Sequence, residues 1–343
     1  MTQRKRRTWA GTAIGGAVLA AVTLLGAQGC APDAPADAAT QAGHAVSLAM
    51  ARSIYETYVK DSDAAAVQGD QATALSVVTS AQWAQVKSQY LALASEGTAV
   101  PRYSYGTPTF YVPALSAFPQ WFVVSVPRST VTGGHRGPAV STLLLFARDK
   151  TTVIWTLSGT AVLSRPLPKV ELDGGYAIPV STIDQSLLLR PDVAGATQAA
   201  VVDDGPTSPA ATVVAAGPQT TGLYAAQAAQ AAAQQRRGLE YQWLLQGSSF
   251  PQVGLRLADG SALIFYGMYL NTTLEHPNLD VGSPIPVPDA VAPILTTPGQ
   301  VGYHAVYANW VYQYAAIDPP ASASDAKLQI IGWQGGPSYG HAF

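Results

Sequence analysis

Residues 140–163 read VSTLLLFARDKTTVIWTLSGTAVL, and this stretch decides the fold class. Two runs rich in Val, Leu, Phe, Trp and Thr flank the dipeptide Asp149–Lys150, a pattern typical of strands joined by a tight turn. The stretch therefore predicts an antiparallel β-hairpin. Two more β-rich runs, at residues 107–112 and 120–127, precede it. We expect four strands over residues 107–163.

Helical periodicity precedes these strands. Four apolar residues recur at every fourth position: Val46, Met50, Ile54 and Tyr58. This spacing predicts an amphipathic helix, and a second helical segment follows it and ends at Gly97. Residues 44–165 thus predict one α+β domain in which helices precede strands.

The same order recurs after a segment that is rich in helix and strand breakers, residues 166–184. Helical composition marks residues 191–203 and 219–238. Strand-like runs then follow at residues 252–257, 261–273, 301–316 and 327–333. The dipeptide Asp259–Gly260 between the first two runs is a strong hairpin signal. Residues 185–343 therefore predict a second domain, joined to the first by residues 166–184.

The sequence thus predicts an α+β fold of two tandem domains. Each would have two or so helices followed by a curled antiparallel sheet of four strands. The element order is similar to the cone-shaped fold of the nuclear-transport-factor and ketosteroid-isomerase superfamily, over residues 44–163 and 185–335. That resemblance implies a pocket inside each curled sheet.

The N-terminus has the pattern of a secretory leader. Four basic residues lie within the first nine, and residues 10–27 carry no charge. The boundary Leu24-Leu25-Gly26-Ala27-Gln28-Gly29-Cys30 resembles a bacterial lipobox, although Ala27 stands where Leu is usual. The resemblance implies that residues 1–29 are a cleaved signal peptide and that Cys30 carries the lipid, with acyl chains such as palmitate. The alternative is an uncleaved N-terminal membrane anchor.

Cys30 is the only cysteine of the chain, so it has no partner for an internal disulfide. Residues 30–43 are of low complexity and predict a flexible tether. We therefore expect a protein held by its lipid on the extracytoplasmic face of the cell membrane. Both the general secretory and the twin-arginine export routes fit the leader.

Charge argues against one class of partner. The chain has 19 basic and 21 acidic residues, and loss of four basic residues with the leader changes the net charge from −2 to −6. An acidic surface does not favour nucleic acid, whose phosphates are neutralised by Lys and Arg.

Three features together resemble a group of uncharacterised actinobacterial lipoproteins. They are the lipobox, the segments Leu167-Pro168-Lys169-Val170 and Gly174-Gly175-Tyr176-Ala177, and the segment Leu257 to Leu263 (LADGSAL). No activity follows from this resemblance.

No catalytic residue, metal site or cofactor site is predicted. The spacing of the five histidines (His44, His135, His276, His304 and His341) matches no metal motif. Many acids lie in expected turns, where carboxylates hydrogen-bond to their own backbone: Asp149, Asp173, Asp203, Asp204, Asp259 and Asp318.

Aromatic residues are dense in the second half. Seven of them predict an aromatic pocket or partner surface: Phe265, Tyr269, Tyr303, Tyr307, Trp310, Tyr312 and Tyr314. Simple filling of the core is the alternative for the same residues.

The preferred function is that of a non-catalytic binding or accessory lipoprotein of the cell envelope. Its partner would be an envelope protein, a glycan or a small apolar ligand, besides the membrane itself. The alternative is a hydrolase or isomerase that uses a pocket in one cone-like domain.

Overall fold

A computed structural model describes residues 46–97, 99–151, 154–277 and 283–343. The predicted leader, the lipid-bearing Cys30, the tether and His44 lie outside the described residues. The described residues belong to one compact unit. No helix within the described ranges is both long and apolar enough to cross a membrane.

Helices form in the predicted segments, and the segment that ends at Gly97 is divided into two helices. They are α1 (Leu48–Gln68), α2 (Gln71–Ser76), α3 (Ser80–Glu96), α4 (Pro191–Asp204) and α5 (Thr221–Gln235). Short 3₁₀ turns add Pro209–Thr212 and Ala292–Ile294. The Ser47 hydroxyl accepts a hydrogen bond from the Met50 N–H at 3.1 Å and caps α1. α3 ends at Gly97, whose φ of +69° favours glycine.

The buried face of α1 is rotated from the predicted one. Ala51 and Tyr55 are buried against the sheet, whereas Met50 is 47% exposed. Tyr55 and Phe110 make an edge-to-face contact, with ring centroids 5.7 Å apart, and aromatic packing of this kind fixes the rotation of the helix.

Thirteen strands are described: β1 (Arg102–Tyr105), β2 (Thr109–Tyr111), β3 (Gln120–Thr132), β4 (His135–Arg136), β5 (Val140–Arg148), β6 (Thr156–Leu163), β7 (Leu172–Asp173), β8 (Tyr176–Ala177), β9 (Glu240–Gly247), β10 (Val253–Arg256), β11 (Ala262–Glu275), β12 (Ala305–Asp318) and β13 (Gln329–Ala342). The predicted pairing within residues 140–163 forms as β5 and β6, but the predicted two-residue turn at Asp149–Lys150 is wrong, because β6 begins only at Thr156. The Asp259–Gly260 hairpin joins β10 to β11.

Eleven of these strands form a single antiparallel sheet. Its main path runs β1-β3-β5-β6-β13-β12-β11-β10, while β2 and β4 pair with β3, and β9 pairs with β11. The prediction of two tandem domains with separate four-stranded sheets is therefore wrong. The pairing of β6 with β13 continues one sheet across both halves, and periodicity within either half does not reveal it. The residue boundaries 44–165, 166–184 and 185–343 stay a prediction.

The curled sheet encloses a central core. Strands from both ends of the sheet contribute to one cluster of buried side chains, with Trp121 and Val123 of β3 beside Val253 and Leu255 of β10. The opposite face of the first half packs against α1 through Phe122, Phe146 and Tyr55. In the second half, α4 and α5 cover the outer face over Ile264, Tyr266 and Tyr314. Helices therefore lie outside the curled sheet, whereas the cone fold would have them inside.

The seam between the halves is short. Within the described residues two residue pairs join β6 to β13, Leu163 with Gly332 and Val162 with Trp333, and the Ser164 N–H continues the same register by donating to the Ile331 carbonyl at 2.8 Å. A Cβ added at Gly332 would lie 2.7 Å from the Leu163 side chain and 3.0 Å from the Val162 carbonyl oxygen. Glycine thus permits the close approach of the two strands.

Buried amides extend the seam beyond those two pairs. The Gln313 Oε1 accepts a hydrogen bond from the backbone N–H of Thr160 at 2.6 Å, and Gln313 is only 1% exposed. Its Nε2 lies 3.4 Å from the Gln82 Oε1 of α3, and the Gln334 Nε2 donates to the Gln85 Oε1 at 2.9 Å. α3 therefore docks against the seam through buried amides, although the Gln85 Nε2 has no hydrogen-bond partner among the described residues.

Helix side chains bind backbone groups of β13 and β9 at positions where no further strand of the described residues lies alongside. The Ser88 hydroxyl of α3 donates to the Pro337 carbonyl of β13 at 2.6 Å. The Asp203 carboxylate of α4 accepts from the Leu245 N–H of β9 at 2.9 Å. Backbone groups that would otherwise lack a strand partner are thereby satisfied.

Substitution of Gln313 by Leu tests the seam. The change keeps the size of the side chain but leaves the buried Thr160 N–H without an acceptor, so we expect a loss of about 1–3 kcal/mol in the free energy of unfolding. Urea unfolding at pH 7 measures it. The control is Gln68→Leu on exposed α1 surface, expected to stay within about 0.5 kcal/mol. Equal effects of the two changes would contradict the role of Gln313.

Candidate functional site

A small pocket, with about 50 Å³ of room for water-sized molecules, lies between α1, α3 and β1. Four phenol side chains define it, and we call it the tyrosine pocket: Tyr58, Tyr90, Tyr103 and Tyr105. Small apolar residues of α1 to α3 form much of the remaining wall, together with Gln82, Gln89 and Gln334. Apolar walls with a few convergent polar groups are typical of small-molecule sites.

Elements from distant parts of the sequence supply the four rings. Tyr58 comes from α1, Tyr90 from α3, and Tyr103 and Tyr105 from alternate positions of β1. Because side chains two residues apart on a strand share a face, both β1 rings point to the pocket side. Burial raises the pKa of the Tyr105 hydroxyl to about 12 and also raises the pKa of Tyr58 well above its usual value. Both phenols are therefore neutral at pH 7.

A buried guanidinium lies behind the rings. Arg128 of β3 is 7% exposed, and its Nη2 donates to the Gln334 Oε1 at 2.7 Å. Its Cζ lies 4.4 Å from the centre of the Tyr103 ring, a cation–π distance. Over the described ranges Arg128 has no ion pair. Neutral groups, an amide and π faces, therefore accommodate this charge.

The Tyr90 hydroxyl is the unexplained group of the pocket. Tyr90 is 4% exposed and its hydroxyl has no hydrogen-bond partner among the described residues. A buried polar group without a partner costs about 1–3 kcal/mol. A polar group of a bound molecule would satisfy it, and Tyr90 lines the space where such a molecule would lie.

An ion pair lies at the margin of the pocket. Arg102 donates to both carboxylate oxygens of Asp63, from Nε at 2.8 Å and from Nη2 at 2.9 Å. Both side chains are 40% exposed, so the pair adds little to stability. The two residues also line an adjoining open groove with Lys60, so the pair separates the two cavities.

The seven predicted aromatic residues do not meet in one cavity. Phe265 lies in the central core, and Tyr314 is fully buried under α4 and α5. Tyr312 stacks on Tyr314 at 5.9 Å, and Trp310 is half-buried beside them. Tyr303 is 44% exposed ahead of β12. Tyr269 and Tyr307 are partly exposed and lie on the other face of β11 and β12, as the strand register requires.

Sequence reasoning missed the tyrosine pocket. Tyr58 and Tyr90 are placed by their spacing on apolar helix faces, which predicts ordinary core packing. Nothing local indicates that these faces meet Tyr103 and Tyr105 with space between them. The alternation of tyrosines in β1 is the one available signal, and β1 itself was not predicted as a strand.

One acid expected in a turn is fully buried. Asp318 ends β12 with no exposed surface, and its two carboxylate oxygens lie 3.3 Å from the Leu189 N–H. Desolvation raises its pKa to about 7. Asp318 does not line the tyrosine pocket. Among the described residues no group of three or more metal-ligating side chains is present.

Residues 42–336 match the family model described as a domain of unknown function, DUF8094. The chain belongs to this family. It is also similar to a Streptomyces avermitilis protein named "Uncharacterized lipoprotein", with 26% identity over 230 residues. That alignment covers 65% of this chain and 62% of the relative, so the chain spans less than two thirds of the relative's length.

No solved structure matches the chain. The resemblance to the nuclear-transport-factor and ketosteroid-isomerase superfamily finds no support in these comparisons. The external position of the helices gives the physical reason, because a cone needs them inside the curl.

Asp318→Asn tests the buried carboxyl. Its folded-state pKa of about 7 exceeds the unfolded value of about 3.9, so the protonated acid gives full stability below pH 4. Between pH 4 and 7 only the unfolded state releases the proton, and stability falls. We expect Asn to remove this fall. The free energy of unfolding of the variant, relative to that of the wild type, should therefore be about 1–3 kcal/mol more favourable at pH 8 than at pH 4.5.

Urea unfolding of both proteins at pH 4.5, 6 and 8 measures the difference. Asp173→Asn, at an exposed position, is the control and should follow the wild type. Parallel curves for Asp318→Asn and the wild type would contradict a raised pKa.

Proposed function

We infer that this protein is a lipid-anchored binding protein of the extracytoplasmic face, whose ligand occupies the tyrosine pocket. The Streptomyces relative is named a lipoprotein, which supports the anchoring. The leader and the lipobox-like segment ending at Cys30 support it independently. Two or more acyl chains hold a protein stably on a membrane where a single chain does not.

The Tyr90 hydroxyl is the observation that carries the binding function. It is buried, lacks a partner over the described residues, and borders open space walled by apolar side chains and neutral phenols. Such a surface fits a small neutral molecule, part apolar and part polar. The guanidinium of Arg128 is already engaged by Gln334 and Tyr103, so the pocket does not require an anion.

Binding is favoured over catalysis in this pocket. The alternative function is a hydrolase or isomerase, which needs a carboxylate or imidazole free to move a proton. Asp63 is the one carboxylate among the described residues that line the pocket, and it is held by two hydrogen bonds from Arg102. No histidine lines the pocket within the described part of the chain.

Cys30→Ala tests the anchor. We expect the wild-type protein in the membrane fraction and the variant in the soluble fraction, because the variant lacks the acceptor of the lipid. Cell fractionation with immunoblotting measures this, and mass spectrometry of the mature wild-type N-terminus identifies the added mass. An unmodified Cys30 within an uncleaved chain would contradict the anchor.

Ala66→Trp tests the pocket as the ligand site. A large ring at this lining position fills the open space, so we expect at least about tenfold less of any co-purifying small molecule. Protein from its native host is denatured, and the released molecules are measured by mass spectrometry. Val67→Trp is the matched control, because the next residue of α1 is 60% exposed and lies outside the pocket lining.

Two outcomes would contradict the binding function. One is that folded wild-type protein releases no molecule above background. The other is that Val67→Trp removes the molecule as fully as Ala66→Trp, which would place it elsewhere.

A further inference from the structure

The face of the second half-sheet that lies opposite α4 and α5 presents an ordered grid of side chains. Register pairs its residues across β9, β11, β12 and β13 in two rows. One row is Gln242, Thr273, Tyr307 and His341, and the other is Leu244, Asn271, Asn309 and Tyr339. We call these eight residues the tyrosine–asparagine face.

This face is accessible. Tyr339 is 45% exposed and Leu244 is 50% exposed, and Gln242 is exposed as well. Tyr307, Asn271 and Asn309 are partly exposed between them. Large apolar or aromatic groups that stay open to water on a regular sheet face mark interaction surfaces.

Hydrogen bonds fix the amides in position. The Asn271 Oδ1 accepts from the Tyr307 hydroxyl at 3.1 Å and from the Asn309 Nδ2 at 2.6 Å. The Ser338 hydroxyl donates to the Asn309 Oδ1 and to the Asn309 carbonyl. An asparagine carries two amide N–H donors, and the Asn271 Nδ2 has no partner within the described residues. The face thus holds free donors on side chains that are already ordered.

Charge selects among possible ligands. None of the eight positions holds Lys, Arg, Asp or Glu. Glu240 and Glu275 lie directly opposite each other at the end of the face, and the Gln242 Nε2 donates to both, at 2.8 Å and 3.4 Å. Two neighbouring carboxylates disfavour an anionic ligand and accept hydrogen bonds from hydroxyl groups.

The size of the face selects further. Four strands about 4.8 Å apart, with residues of one face about 7 Å apart along each strand, give a surface of about 100–200 Å². The eight residues therefore match the footprint of two or three sugar rings.

We propose that the tyrosine–asparagine face binds a neutral glycan. A sugar ring offers an apolar C–H surface to the Tyr339 and Tyr307 rings and hydroxyl groups to the amides. This site is separate from the tyrosine pocket, and the proposal does not depend on a ligand in that pocket.

Affinity electrophoresis tests the proposal. The full chain, purified in neutral detergent, migrates through native gels that contain laminarin, amylose, mannan or arabinogalactan, with alginate as the anionic comparison. We expect retardation by at least one neutral polysaccharide and none by alginate. Tyr339→Ala should raise the dissociation constant about tenfold. Tyr339→Phe keeps the ring, so its dissociation constant should stay within about threefold of the wild-type value.

Trp83→Ala is the matched control, because this ring is 40% exposed on α3 in the other half of the protein; it should bind as the wild type does. Asn309→Ala is a second variant on the face and should also bind weakly, with urea midpoints checking that each variant is folded. Free migration in all four neutral gels would overturn the proposal. Equal retardation by alginate, or equal weakening by Trp83→Ala, would also overturn it.

Discussion

The hydrogen bond from the Thr160 N–H to the Gln313 Oε1 lies at the seam that joins the two halves of the sheet, and the fold depends on that seam. β6 and β13 pair over two residue pairs, extended by the Ser164–Ile331 hydrogen bond, before they diverge, and a diverging sheet leaves backbone groups without strand partners. A buried amide replaces the missing ladder partner, and Gln82 of α3 lies next to that amide. Because the central core is built from strands of both halves, the core closes only when this seam is in place. A short ladder with buried polar groups is a specific joint, since any other register would leave those groups unpaired.

The same helix that closes the seam also builds the tyrosine pocket. α3 carries Gln82 and Gln85 to the seam, and it presents Val86, Gln89 and Tyr90 to the cavity. Gln334 belongs to both, because it bonds to Gln85 and to Arg128 and also lines the pocket. A molecule that satisfies the Tyr90 hydroxyl would therefore be in contact with the element that holds the halves together. Binding of the proposed ligand would therefore also stabilise the joint, because α3 contributes to both.

Local chemistry explains which features the sequence predicted. The hairpin of residues 140–163, the turn at Asp259–Gly260 and the helix end at Gly97 depend on neighbours in the chain, so their patterns are readable. The pairing of Leu163 with Gly332 joins residues far apart in sequence, and no periodicity encodes it. β9 was missed because the residues from Glu240 directly follow a helical run without a strong turn signal. The pocket was missed for a related reason: phenol side chains on a helix face look the same whether they fill a core or border a cavity.

The hydrogen bonds that Ser88 and Asp203 make to strand backbone have a consequence for the proposed membrane anchoring. Molecules tethered to one membrane share a thin layer, so their mutual effective concentration is far higher than in free solution. An open strand in that layer is a template for pairing with the next copy, which leads to aggregation. With the Pro337 carbonyl bound by Ser88 and the Leu245 N–H bound by Asp203, β13 and β9 are poor templates at these positions. On the proposed lipid-anchored protein, the two side chains would thus disfavour strand pairing between neighbouring copies.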